Sequence, residues 1–138
     1  AFVSSNEIMN SLQSNPVLGH ITTFGGHPVC CAAGLAATKY LIDNKVVESV
    51  ETKGALYENL LKNHPQVLEI RRCGLLLAVE LGSSEKLYKI MDMFIEKGIL
   101  SDWFLFCDTA FRISPPLTIT EDEIRGSVEI IVDCLNNL

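Results

Sequence analysis

The sequence predicts an α+β fold, on three observations. Helical and strand-like segments run in the order helix, helix, strand, strand, helix, strand, strand, helix, without the regular alternation that builds a parallel sheet. The connection between the first two strands is too short for a crossover helix, so these two are expected to be antiparallel neighbours. Capping and stop residues separate the segments cleanly, and no internal repeat is present.

Each element has its own warrant. Ser4-Ser5-Asn6-Glu7 matches a capping box with Ser4 as N-cap, for a short helix carrying Ile8, Met9 and Leu12 that Asn15-Pro16 ends. Pro28 suits a first helical position, where a missing N–H costs nothing, and opens a long helix apolar over most of its circumference from Val29 to Leu41. Such a pattern predicts a buried helix. After Asp43-Asn44-Lys45, an amphipathic helix places Val46, Val50, Tyr57, Leu60 and Leu61 on one side until His64-Pro65 stops it.

Val67 to Arg71 and Leu75 to Leu81 read as strands about Cys73-Gly74. Ser83-Ser84 caps a helix with Leu87, Ile90, Met91, Phe94 and Ile95 on one face, closed by Gly98. Ile99 to Cys107 and Thr109 to Ile113 are strand material. Thr120 and Glu123 form a capping box for a last helix burying Ile124, Val128, Ile131, Val132 and Leu135.

Composition narrows the function classes. With 48% hydrophobic and 20% charged residues, the 138-residue chain is neither disordered nor fibrous. A net charge of -6 and no Lys/Arg cluster argue against nucleic acid or an anionic membrane as partner. No apolar stretch approaches the roughly 20 residues of a membrane span, and the start lacks the pattern of a signal peptide. Five cysteines, an odd count in mostly apolar surroundings, fit a reducing cytoplasm. The opening Ala1-Phe2-Val3, without an initiator Met, reads as the end of a buried strand and suggests a fragment.

Two places could carry chemistry. In Thr22-Thr23-Phe24-Gly25-Gly26, hydroxyls and glycine amides sit beside a helix start, a combination suited to a phosphate or carboxylate. A plain glycine turn with a threonine capping the helix explains the same residues. Arg112, in Ala110-Phe111-Arg112-Ile113-Ser114-Pro115-Pro116, places a permanent cation in an apolar strand. The carboxylate that meets it belongs either to the protein or to a ligand. His20, His27, Cys30 and Cys31 lack the spacing of a zinc site, so no metal is expected. The seven lysines fall at helical positions with polar neighbours, none in the setting of a desolvated nucleophile.

Taken in order, Gly19-His20-x-Thr22-Thr23-Phe24-Gly25-Gly26-His27-Pro28, an Ala-rich helix, Arg71-x-x-Gly74-Leu75, Arg112-x-x-Pro115-Pro116-Leu117 and Glu121-x-Glu123-Ile124 resemble the C-terminal part of the class III aminotransferases. This group, which includes ornithine, acetylornithine and 4-aminobutyrate aminotransferases, has fold type I and depends on pyridoxal 5'-phosphate. The chain departs from the family's usual pattern at His27, where Asn is common, and at Arg71-Arg72-Cys73-Gly74, where Arg-Gly-x-Gly is common.

The resemblance implies that Thr23, with Thr22 beside it, binds the cofactor phosphate of the other subunit in a homodimer. It implies that Arg112 binds the substrate carboxylate. Residues 1–26 would be the tail of the large cofactor-binding domain, 27–45 a connecting helix and 46–138 the small C-terminal domain. The Schiff-base lysine is expected upstream of residue 1, so that this fragment contains no catalytic residue and is inactive alone. The intact cytoplasmic enzyme is expected to move an amino group between an amino acid or related amine and a 2-oxo acid. Two other readings remain: a non-catalytic α+β interaction module that shares the small-domain fold, and a related pyridoxal-phosphate-dependent mutase or decarboxylase.

Overall fold

A computed structural model describes residues 3–13, 15, 19 and 21–138. They form two compact units, residues 1–40 and 41–138. Ala1 and Phe2 of the expected strand stub, the Pro16 stop and His20 lie outside the described residues.

In the first unit, helix α1 (Asn6–Asn10) is capped by Ser5, whose Oγ accepts from the Ile8 amide at 3.3 Å. The cap is therefore one residue later than Ser4. Either serine has the required oxygen, but with Ser5 in place Glu7 is the second helical residue and no reciprocal box forms. Helix α2 (Pro28–Asp43) starts at the expected proline, and the His27 carbonyl accepts the first helical bond, from Cys31 at 2.9 Å. The expected burial of α2 is corrected: none of its residues is buried, and Val29, Leu35 and Ile42 stand 58% to 70% exposed. Composition sets helix formation; burial needs a second apolar surface.

The second unit is three helices on one face of a four-stranded antiparallel sheet of order β1-β2-β4-β3. Its strands are β1 (Glu69–Cys73), β2 (Leu76–Glu80), β3 (Asp102–Phe104) and β4 (Cys107–Ile113). The β1–β2 loop is Gly74-Leu75, with Gly74 at φ 57°. A two-residue hairpin with a positive φ at its first loop position needs glycine there. Close approach also fixes Gly54 in helix α3 (Val50–Leu61), where a Cβ would overlap the Gly74 carbonyl.

Helix α4 (Ser84–Glu96) is capped by Ser83. It ends with Gly98 at φ 81°, the Gly98 amide donating to Ile95 and the Ile99 amide to Phe94. That pair of bonds is the Schellman arrangement, and it brings Ile99 onto the core. Ile99 is thereby unavailable to β3, which is shorter than expected; its far end stops at Phe104 because Leu105 and Phe106 form the turn to Cys107. Ile95, expected on the buried face, is 67% exposed; the stripe is Leu87, Ile90, Met91 and Phe94. Helix α5 (Glu121–Asn136) carries the expected Thr120–Glu123 capping box.

The core forms where Leu77, Val79, Phe111 and Ile113 of the central strands meet Tyr57 and Leu61, Leu87 and Phe94, and Ile124 and Ile131 from the three helices. Phe94 and Phe111 pack edge to face at 5.2 Å. Each fully buried side chain of this size contributes about 1.5–3 kcal/mol relative to exposure. Strand alternation then turns the neighbours of these residues, Arg71, Ala78 and Arg112, onto the face without helices. Among the described residues no helix is long and apolar enough to cross a membrane.

Candidate functional site

The first candidate lies in the unit of residues 1–40. Thr22 to His27 make two overlapping turns: the Gly25 amide donates to the Thr22 carbonyl at 3.3 Å, and the His27 amide to the Phe24 carbonyl at 3.1 Å. Gly26 has φ 75°, a backbone state that disfavours other residues. A Cβ on Gly25 would overlap the Thr22 hydroxyl. Both threonines are exposed. His27 occupies the position before α2, so neither threonine serves as its N-cap, while the plain glycine turn is the structure observed. Exposed hydroxyls on a tight turn leading into a 16-residue helix fit the donor set a phosphate requires.

The second candidate lies wholly within residues 41–138. Strand pairing places Asp102, Arg112, Ala78 and Arg71 in one row across all four strands. The Arg112 side chain is 37% exposed, and its Nη2 donates to Asp102 Oδ2 at 3.2 Å. Ser101 Oγ donates to the Arg112 carbonyl at 2.6 Å, so the residue is held at both main chain and side chain. A cleft of about 500 Å3 opens beside it, with Ser101, Asp102, Arg112 and Ser114 in its lining and Phe94 and Ile131 in its apolar wall.

At the other end of the row the charge of Arg71 is already answered. Its Nη1 meets Glu69 at 2.6 Å and its Nη2 meets Glu80 at 3.0 Å. These bonds, Glu80 first and then Glu69, hold the guanidinium above its usual pKa. Burial pushes the Glu80 carboxyl up, but hydrogen bonds from Thr109, Arg71 and the Gly82 amide outweigh it and leave the group below the usual carboxylate range. Arg72 faces the opposite way, toward α3, bonded to Glu51 at 2.7 Å and Glu58 at 2.9 Å. It ties the strand to the helix.

Of the two sources of a carboxylate left open for Arg112, the one found among the described residues is the protein's own, Asp102. Sequence reasoning missed that partner, because Asp102 reads only as a strand residue until register sets it opposite Arg112. Thr22 and Thr23 belong to the other unit.

Residues 1–135 match the Aminotransferase class-III family. The chain belongs to that family. It is 35% identical over 123 residues to an acetylornithine aminotransferase of Caldanaerobacter subterraneus subsp. tengcongensis, covering 86% of this chain and 30% of that protein. A putrescine aminotransferase of Pectobacterium atrosepticum is 33% identical over 143 residues, with 100% of this chain and 30% of that protein covered. The chain thus spans about a third of the length of these class III relatives.

Among solved structures, an ornithine aminotransferase from Toxoplasma gondii, described with partial occupancy of pyridoxal phosphate at its active site, superposes with a TM-score of 0.70 at 32% identity. The match covers 94% of this chain and 31% of that one. An acetylornithine aminotransferase from Elizabethkingia anophelis gives a TM-score of 0.74 at 28% identity, covering 99% of this chain and 36% of that one. The fold expected from the resemblance, part of a pyridoxal-phosphate-dependent transferase, is the fold observed.

Proposed function

We propose that the chain is the C-terminal part of an aminotransferase that moves an amino group between an amino acid or related amine and a 2-oxo acid, with pyridoxal 5'-phosphate as cofactor. The observation that carries this reading is the family match over residues 1–135, which takes in both the Thr22–Gly26 turn and Arg112. On this reading residues 1–26 end the large domain, 27–45 connect and 46–138 are the small domain. The large domain would then supply the apolar surface that α2 lacks. Five free thiols among the described residues accord with a reducing, cytoplasmic setting.

Bound pyridoxal phosphate supplies the electron sink that lets the carbon bearing the amino group lose and regain a proton. The residues of this chain bind and orient. Thr22 and Thr23 donate hydroxyl hydrogens to the phosphate, in a homodimer to the cofactor of the partner subunit. Arg112 grips the substrate carboxylate, for which a planar fork of N–H donors is geometrically suited. On this reading the Schiff-base lysine belongs to the part of the enzyme outside these 138 residues, in keeping with seven lysines that are all exposed or half-buried.

The test uses the complete enzyme. Thr23→Ala should speed loss of pyridoxal phosphate on dialysis while leaving the KM of the carboxylate substrate nearly unchanged. Mixed dimers of Thr23→Ala with a subunit lacking the Schiff-base lysine show whether the hydroxyl acts across the interface. Cofactor retention equal to the unaltered enzyme would remove the turn from the phosphate site. Incubated alone with pyridoxal phosphate, an amino donor and 2-oxoglutarate, the 138-residue chain should show no turnover above the protein-free rate.

A further inference from the structure

We propose that Asp102 is the positioning residue for Arg112, holding its guanidinium ready for the incoming carboxylate. The inference rests on the reading of Arg112 as the carboxylate grip. Asp102 stands directly opposite Arg112 in the β3–β4 register, and its Oδ2 accepts from Arg112 Nη2 at 3.2 Å. The other oxygen, Oδ1, accepts from the Trp103 amide at 2.8 Å, so the carboxylate is itself fixed to the strand. The Ser101 bond to the Arg112 carbonyl locks the same two segments together one residue away.

A guanidinium has five N–H donors in a rigid plane. Asp102 engages a single nitrogen at 3.2 Å, which sets the plane while leaving further donors for a second carboxylate. Arg71 does not compete for Asp102, because Glu69 and Glu80 already hold it. Ala78, between the two arginines in the row, keeps the strand between them low.

The exposures bear on purpose. With side chains 37% and 56% exposed, the Arg112–Asp102 pair contributes little to folding stability. What it does is reduce the orientations Arg112 must give up when a carboxylate binds.

The experiment uses the complete, cofactor-loaded aminotransferase and four variants: Asp102→Ala, Asp102→Asn, Arg112→Ala and Asp102→Ala with Arg112→Ala. Affinity for 2-oxoglutarate is measured by calorimetry without an amino donor, so that no turnover occurs, and kcat and KM are measured separately. Asp102→Ala should weaken affinity and raise KM about two- to fivefold with kcat unchanged. Asp102→Asn keeps one acceptor oxygen for two donors, Arg112 Nη2 and the Trp103 amide, and should recover only part of the loss. Once Arg112 is gone, removing Asp102 should add nothing.

Affinity that is unchanged or tighter in Asp102→Ala, while Arg112→Ala weakens it, overturns the inference and leaves the role of Arg112 intact. Unchanged affinity in Arg112→Ala overturns the carboxylate reading and the inference with it. Should Asp102→Ala not fold, Asp102→Ser carries the same expectation, since its hydroxyl reaches the Trp103 amide but not Arg112.

Discussion

Helix α2 and helix α4 are both long and rich in apolar residues, yet one stands exposed and the other closes a core. In α4 the apolar residues Leu87, Ile90, Met91 and Phe94 form one stripe, and all four are buried against the sheet. In α2 they run round the circumference, and no residue is buried. An amphipathic stripe tells a helix which way to face within its own domain. An apolar circumference shows only that more than one surface is needed, and residues 41–138 spend their apolar strand faces on α3, α4 and α5.

The largest effect expected from this contrast is functional. If Arg112 grips the substrate carboxylate as proposed, Arg112→Ala in the complete enzyme should raise KM by the equivalent of about 2–5 kcal/mol, with cofactor retention little changed. Steady-state kinetics with a carboxylate substrate, beside dialysis of bound cofactor, checks both halves. The second effect is on stability. Leu87→Ala removes a wholly buried side chain and should destabilise residues 41–138 by about 2–5 kcal/mol. Trp103 is the single tryptophan of the chain and lies in that unit, so denaturant unfolding followed by its fluorescence reads the loss directly.

The same contrast explains what could be read from the amino acids. The helices of residues 41–138 were legible because Ser83, Gly98 and the Thr120–Glu123 pair mark their ends, and because most of each stripe, Ile95 and Leu60 apart, matches a buried face. The β1–β2 hairpin was legible from Gly74. Burial of α2 was not, since apolarity over a whole circumference states a need without naming what meets it. The full length of β3 was not legible either: Ile99 is taken by the end of α4, and Leu105-Phe106, without a glycine, gives no signal of a turn. Arg112 stood out as a cation among apolar neighbours, whereas its partner Asp102 is visible only through register, which joins residues ten apart in sequence. Thr22 and Thr23 were visible as a turn, and the phosphate-binding role proposed for them rests on the family resemblance, not on spacing.

A smaller effect concerns the open face of the sheet. Glu80 sits with its carboxyl below the ordinary value of 4.5, held there against burial by Thr109, Arg71 and Gly82. A depressed folded-state value means that the interaction is fully present above the unfolded value and is lost as pH falls through the lower, folded one. Glu80→Gln should therefore be less stable than the unaltered chain at neutral pH. The gap should begin to close below about pH 4.5 and vanish once the folded carboxyl is protonated. Denaturant midpoints measured from pH 7 downward test this; a gap that widens on acidification would reverse the assignment.

The smallest expected effect is the most pointed test of the opening contrast. Leu35 lies in the middle of α2 and is 58% exposed, and its replacement by alanine also improves intrinsic helix propensity slightly. In the 138-residue chain, Leu35→Ala should leave the Trp103 unfolding transition within about 0.5 kcal/mol of its starting value, against the large loss at Leu87. In the complete enzyme, where the proposed large domain covers α2, the same substitution should remove a packed side chain and lower stability by about 2–5 kcal/mol. A large loss in the short chain would mean that α2 packs within these residues after all. Indifference in both would mean that the apolar circumference of α2 is not what joins the two parts of the protein.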